Sequence, residues 1–263
     1  MQDDDPDTYM FRAARQTSGA SALAQTAVTE LTRRQGVTPS GARQFILDHM
    51  MRSILSRGDF DPNQMLTEMR GHRLSVDAVI DIYVPAAARI LGEMWQTDDI
   101  DFASVTVGSM RLQALLSIAS VESLDFVRPL ENAMHMVIAV PLGEQHTLGA
   151  FVLGAQLRRL GVRVDVSFCE RAPDFASRVL CDPPEAILFT ASCRATLETV
   201  SQLVLNARKI LPGPPVLVLG GSATGSTGEA KEISGVDLVT QSARDVVSFT
   251  TQRQTRMPDQ ARR

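Results

Sequence analysis

Aromatic residues make up only 5% of the 263-residue chain, and Trp95 is the single tryptophan, so the core this sequence can build is aliphatic. Cysteine is scarce as well. Cys169, Cys181 and Cys193 are odd in number, widely spaced and form no C-x-x-C pair. That excludes a cysteine zinc site and a c-type haem attachment, and it suits a reducing compartment. There is no excess of positive charge: the formal net charge is −4, which provides no general footprint for phosphate. No uninterrupted apolar run reaches the ~20 residues of a membrane span. The opening MQDDDPDTYM is acidic, unlike a signal peptide. A cytoplasmic protein with no membrane partner is therefore expected. With 44% hydrophobic and 21% charged residues, the remainder is of ordinary globular composition.

What is present falls into two unlike halves. Residues 1–37 form a polar N-terminal segment, with an Ala/Thr-rich stretch from Ser21 to Arg34 of helical character. Residues 38–120 read as four helices of a cap domain. Ala42, Ile46, His49, Met50 and Ile54 recur at helical spacing. Asp61-Pro62 has the form of an N-cap followed by proline in the first turn. A long stripe runs from Val76 to Met94, with Pro85 inside it as an expected kink. Asp101 can cap the fourth helix. Residues 121–133 are the expected linker. From 134 to 250 the texture changes to β-rich runs (Met134–Val140, Val162–Phe168, Ala186–Phe189, Pro215–Leu219, Val236–Thr240) separated by helical stretches. This is the pattern of an α/β domain with a flavodoxin-like, doubly wound, parallel five-stranded sheet. Residues 251–263 are an arginine-rich, solvated tail.

In such a sheet, ligands bind beyond the carboxyl ends of the strands. Three loops there carry candidate residues. The first is Gly143-Glu144-Gln145-His146-Thr147-Leu148-Gly149, the second Thr190-Ala191-Ser192, the third Gly220-Gly221. A histidine with a carboxylate two residues before it suits a metal ligand whose tautomer the carboxylate fixes. His49, His72 and His135 are expected to be structural or surface groups. Met50, Met51, Met65, Met69 and Met94 are expected to be core filler.

In order and spacing these loops resemble the signature segments of the cobalamin-binding domain found in methionine synthase, corrinoid methyltransfer proteins and cobalamin photoreceptors. The family pattern D-x-H-x-x-G reads here Glu144-x-His146-x-x-Gly149. Its S-x-L segment reads Thr190-x-Ser192, and its glycine pair Gly220-Gly221. Upstream, Ile82-Tyr83-Val84-Pro85-Ala86, Gly92, Trp95 and Ile100 resemble the helical cap that precedes this domain. The resemblance implies cobalamin as cofactor and His146 as its cobalt ligand. It also implies that the nucleotide tail enters the sheet beside Thr190, Ser192, Gly220 and Gly221, and that Trp95 lies near the upper corrin face.

Light-sensing relatives that bind adenosylcobalamin carry a Glu-His pair where this chain has Val105 and Thr106. Aquo- or hydroxocobalamin is therefore expected in preference to adenosylcobalamin. A cap plus cobalamin domain resembles the AerR/PpaA group, antirepressors that act through a separate DNA-binding repressor. The resemblance accordingly implies a non-enzymatic sensor with a transcriptional repressor as partner. Direct sequence-specific DNA binding by residues Glu30–Leu47 is not expected. Two other functions use the same fold: a corrinoid methyl carrier and a haem or redox sensor.

Overall fold

The computed structural model describes residues 41–124, 133–169, 172–211, 213, 215–222 and 227–256. The N-terminal segment 1–37, most of Glu30–Leu47 and the middle of the expected linker lie outside them.

Among the described residues, four helical stretches form the cap. Helix α1 (Gln44–Leu55) buries Ile46, Leu47, Met50, Met51 and Ile54. Helix α2 (Pro62–Gly71) starts at Asp61, whose carboxylate accepts the Asn63 and Gln64 N–H groups at 2.8 and 3.3 Å. The third stretch is continuous but not uniform: α3 (Val76–Ala78) passes through a π-helical turn, Val79–Tyr83, into α4 (Val84–Gln96). Pro85, expected as a kink, sits in the first turn of α4, where its missing N–H costs least. The irregularity lies just before it, where Val84 N–H reaches back to Val79 O.

Helix α5 (Phe102–Leu124) opens on Asp101, whose carboxylate accepts Ser104 N–H at 2.8 Å. It is 23 residues long and contains an 18-residue stretch of mean hydropathy 1.3, long and apolar enough to cross a membrane by length and composition alone. No segment was expected to reach that length, because interspersed serines and Arg111 hide the run. The helix packs against α1, α2 and α4. Arg111 donates to the carbonyls of Ile54, Ser56 and Gly58 at 3.0, 2.7 and 2.6 Å, capping the end of α1.

The second half alternates β1 (His135–Pro141), α6 (Leu148–Arg159), β2 (Arg163–Cys169), α7 (Ala172–Cys181), β3 (Ala186–Thr190), α8 (Arg194–Ile210), β4 (Val216–Gly220), α9 (Thr227–Ser234), β5 (Leu238–Val239) and α10 (Ala243–Arg256). All pairings are parallel, in the order β2-β1-β3-β4-β5. This is the flavodoxin-like order, with its topological switch point between β1 and β3. β1, β3 and β4 are buried on both faces, which explains their continuous apolar runs. One aliphatic core lies on each side of the sheet, and a third fills the cap. The cap core includes Ala155 and packs Leu148, Phe151 and Val152, all from α6. The chain expected as a tail from 251 is helical as far as Arg256, and Arg253 pairs with Asp237 at 2.9 Å rather than being solvated.

Candidate functional site

β1 ends at Pro141, and the chain turns through Gly143, whose φ of +85° is left-handed, with Glu144 N–H bonded to Pro141 O at 3.1 Å. The turn carries Glu144 inward and His146 outward: their side chains are 1% and 80% exposed. The Glu144 carboxylate then gathers four donors. Oε1 accepts the His146 backbone N–H at 2.8 Å, His146 Nδ1 at 3.0 Å and Ser192 Oγ at 2.8 Å. Oε2 accepts Ser192 N–H at 2.7 Å. Burial alone would raise its pKa, but the hydrogen bonds from His146 and Ser192 outweigh it and hold the carboxyl below its ordinary value of 4.5.

An ionised Glu144 can only accept, so the proton of a neutral His146 ring sits on Nδ1. The Nε2 lone pair is left free for a metal. The longer glutamate, in place of the family's aspartate, still reaches the ring. It does so because Ser192 from the β3 loop anchors its far oxygen. That contact between loops 48 residues apart had no signal in the sequence.

His146, Glu144 and Gly149 line a cavity of about 640 Å³ together with Thr190, Ser192, Gly220 and Gly221. Its deeper walls are apolar, formed by Leu153, Leu188, Val218 and Val246. Thr190 Oγ1 is buried at this wall with no hydrogen-bond partner. Gly143, Gln145 and Thr147 belong to the loop but do not line the cavity. Trp95 also lies outside the lining, at the last turn of α4, where it is 44% exposed and meets Phe102 edge-on with ring centres 6.0 Å apart. Among the cap residues the cavity is walled by Asp81, Pro85 and Arg89; Pro85 stood in the cap segment that the sequence marked, whereas Asp81 and Arg89 were not singled out.

The model of the B12 binding domain matches residues 134–249. An uncharacterized 20.5 kDa protein in the bchF-crtJ intergenic region of Rhodobacter capsulatus is 32% identical over 185 residues, 70% of this chain and 96% of that protein. The chain belongs to the B12-binding domain family. The HTH-type transcriptional repressor CarH of Myxococcus xanthus is 29% identical over 136 residues, 51% of this chain and 44% of the repressor. Among solved structures, the Methanosarcina barkeri monomethylamine corrinoid protein superposes with a TM-score of 0.63 at 14% identity, covering 80% of this chain and 99% of that one. That is a likeness of fold.

Within the B12-binding domain the glycine pair has a structural cause. Gly221 has φ +105°, and a Cβ there would lie 2.3 Å from Ala191 O. Ala191 N–H in turn bonds Gly220 O at 3.0 Å, so the second and third loops are sewn together at the backbone. Thr240, Gln241 and Ser242, beyond β5, add a fourth loop to the cavity. Its position at a strand end was the available signal, but its residue types carry no motif.

Proposed function

We propose that this chain is a cobalamin-dependent transcriptional regulator, an antirepressor that acts in the cytoplasm through a separate DNA-binding repressor. The observation that carries the reading is a cavity walled by both the sheet and the cap, with His146 Nε2 free at its edge. The residues present fit a cobalamin. His146 offers Nε2 while Glu144 holds its Nδ1, and the apolar slot between α6, α10 and the sheet has room for a heterocyclic tail. Thr190 Oγ1 is a buried hydroxyl in want of a partner there. When bound, the group would supply a cobalt centre whose upper ligand can be exchanged or lost.

The chain's own contribution would be to offer His146, oriented by Glu144, to the cobalt and to face the bound group with its cap. Trp95 and Phe102, exposed side by side, provide an apolar surface that a corrin ring could cover. Val105 is half-buried and Thr106 bonds its own helix at Phe102 O. Neither side chain offers a metal ligand, in keeping with aquo- or hydroxocobalamin rather than a second histidine ligation. Similarity to the CarH repressor and to the bchF-crtJ intergenic protein supports a regulatory role. In this reading the chain catalyses no reaction of its own.

The test is the visible spectrum of the purified chain after incubation with hydroxocobalamin, and separately with haem. A corrin spectrum altered on binding, lost in His146→Ala and kept in His49→Ala and His72→Ala, is expected. Stoichiometric binding with an unaltered spectrum in His146→Ala, or tight binding of haem alone, would overturn the proposal.

A further inference from the structure

A second polar cluster lies at the opposite edge of the sheet, where strands begin rather than end. His135 opens β1, Asp165 stands on β2, and Asp182 follows α7. The His135 side chain is only 6% exposed, and both ring nitrogens face carboxylates. Nε2 is 2.9 Å from Asp165 Oδ2. Nδ1 is buried, has no hydrogen-bond partner, and faces Asp182 Oδ1 at 3.7 Å. Ligand atoms of the three residues lie within 4.8 Å of one another. Around them, Glu185 accepts the His135 backbone N–H at 2.6 Å, and Arg163 NH2 holds both Asp182 oxygens at 3.0 and 2.8 Å.

The spacing decides what belongs between His135 and Asp182. A neutral imidazole carries one N–H, and the short contact to Asp165 places it on Nε2. The buried Nδ1 then points a lone pair at the more exposed Asp182 carboxylate, which is unfavourable unless a cation lies between them. A separation of 3.7 Å is too long for a proton to bridge as a hydrogen bond. Two donors bound to one zinc-like ion at roughly 2.0–2.2 Å each, at angles of about 110–125°, stand roughly 3.4–3.7 Å apart.

Asp165 occupies the place of the carboxylate that commonly backs a metal-bound histidine, the same arrangement Glu144 makes for His146. The aspartates are 61% and 57% exposed, so an ion and its waters have a way in, and Arg163 leaves each Asp182 oxygen a second lone pair.

We propose that His135 Nδ1 and Asp182, backed by Asp165, bind a divalent cation of the zinc class, separate from the cofactor cavity and tying together β1, β2 and the end of α7. With two protein ligands and waters completing the shell, binding should be reversible and chelator-sensitive.

The experiment uses the full chain without an affinity tag, in a His146→Ala background so that the exposed loop histidine cannot compete. After chelator treatment, equilibrium dialysis against zinc should recover one ion per chain, and zinc should raise the thermal midpoint. Asp182→Asn should abolish both effects, and Asp165→Ala should weaken binding by about tenfold or more. In the chain that keeps His146, Asp182→Asn should leave the hydroxocobalamin spectrum unchanged, which establishes that the variant folds. No bound zinc, or equal binding in Asp182→Asn, would overturn the site. So would a midpoint that responds to pH and not to zinc, because the ring would then carry a second proton in place of a metal.

Discussion

Gly149 and Gly221 both line the cavity, for opposite reasons. At Gly221 the backbone is left-handed and a Cβ would collide with Ala191 O. Gly221→Ala should therefore cost about 2 kcal/mol or more of folding stability, seen as a lower urea midpoint without cofactor. At Gly149, inside α6, a Cβ would meet nothing within 4 Å. Gly149→Ala should leave the cofactor-free protein as stable or about 0.5 kcal/mol more stable, since alanine suits a helix better. If the cavity holds a corrinoid close to this turn, the same variant should bind hydroxocobalamin more weakly. Equal affinity in Gly149→Ala would place the cofactor elsewhere.

Glu144 sets a pH dependence at the same scale. Its carboxyl titrates below the ordinary 4.5 in the folded protein. The group's contribution is thus complete above about 4.5 and is lost as pH falls through the lower, folded value. Thermal midpoints of the wild type and Glu144→Gln should differ most near neutral pH and converge in acid. A gap that stays constant down to pH 3 would mean that the ionised carboxylate is not what holds the loop.

Between elements, the cap is pinned to the sheet domain through its irregular turn. Arg159, near the end of α6 and 14% exposed, bonds Asp77 Oδ1 at 2.7 Å and also Asp81, which lies inside the π-turn. Gln156 adds a 3.0 Å bond to Asp81. Burial lowers the guanidinium pKa, but the two aspartates outweigh it and raise it overall. Asp77 and Asp81 remain substantially in water, which moderates the value of the pairs. Arg159→Met should cost about 1–2 kcal/mol at low salt, less at high salt. Because Asp81, Pro85 and Arg89 wall the cavity, the loss should also loosen α3 and α4. Hydrogen exchange across residues 76–96 is the measurement; unchanged protection in Arg159→Met would show that aliphatic packing alone fixes the cap.

For the whole molecule, the proposed sensor requires that what happens at the cofactor reaches the cap surface. Hydrogen exchange over residues 75–116 should differ between the cofactor-free and hydroxocobalamin-loaded protein, and Trp95→Ala should alter binding to a repressor partner. Indifference in both measurements would reduce the cap to a lid. On the proposed reading the chain alone should form no sequence-selective complex with promoter DNA, and its net charge of −4 supplies no general phosphate footprint. A nanomolar, sequence-selective complex of the isolated chain would refute that.

The alternation of aliphatic runs with helical periods was enough to place the parallel sheet and four cap helices, because those periods follow directly from which faces are buried. The E-x-H-x-x-G spacing and the glycine pair were legible because they resemble the family's segments; only at Gly221, with its φ of +105° and Ala191 O against it, does the backbone itself demand glycine. The π-turn ahead of Pro85 was not, since a proline signals a break in the helix but not how neighbouring carbonyls are satisfied. Nor were the contacts that complete the site. Ser192 beneath Glu144, Arg89 on the cavity wall and Arg159 against Asp81 join residues far apart in the chain. Side-chain pairings at such separation leave no period or motif behind. They exist only once the sheet's switch point has brought the loops together and the cap has closed over α6.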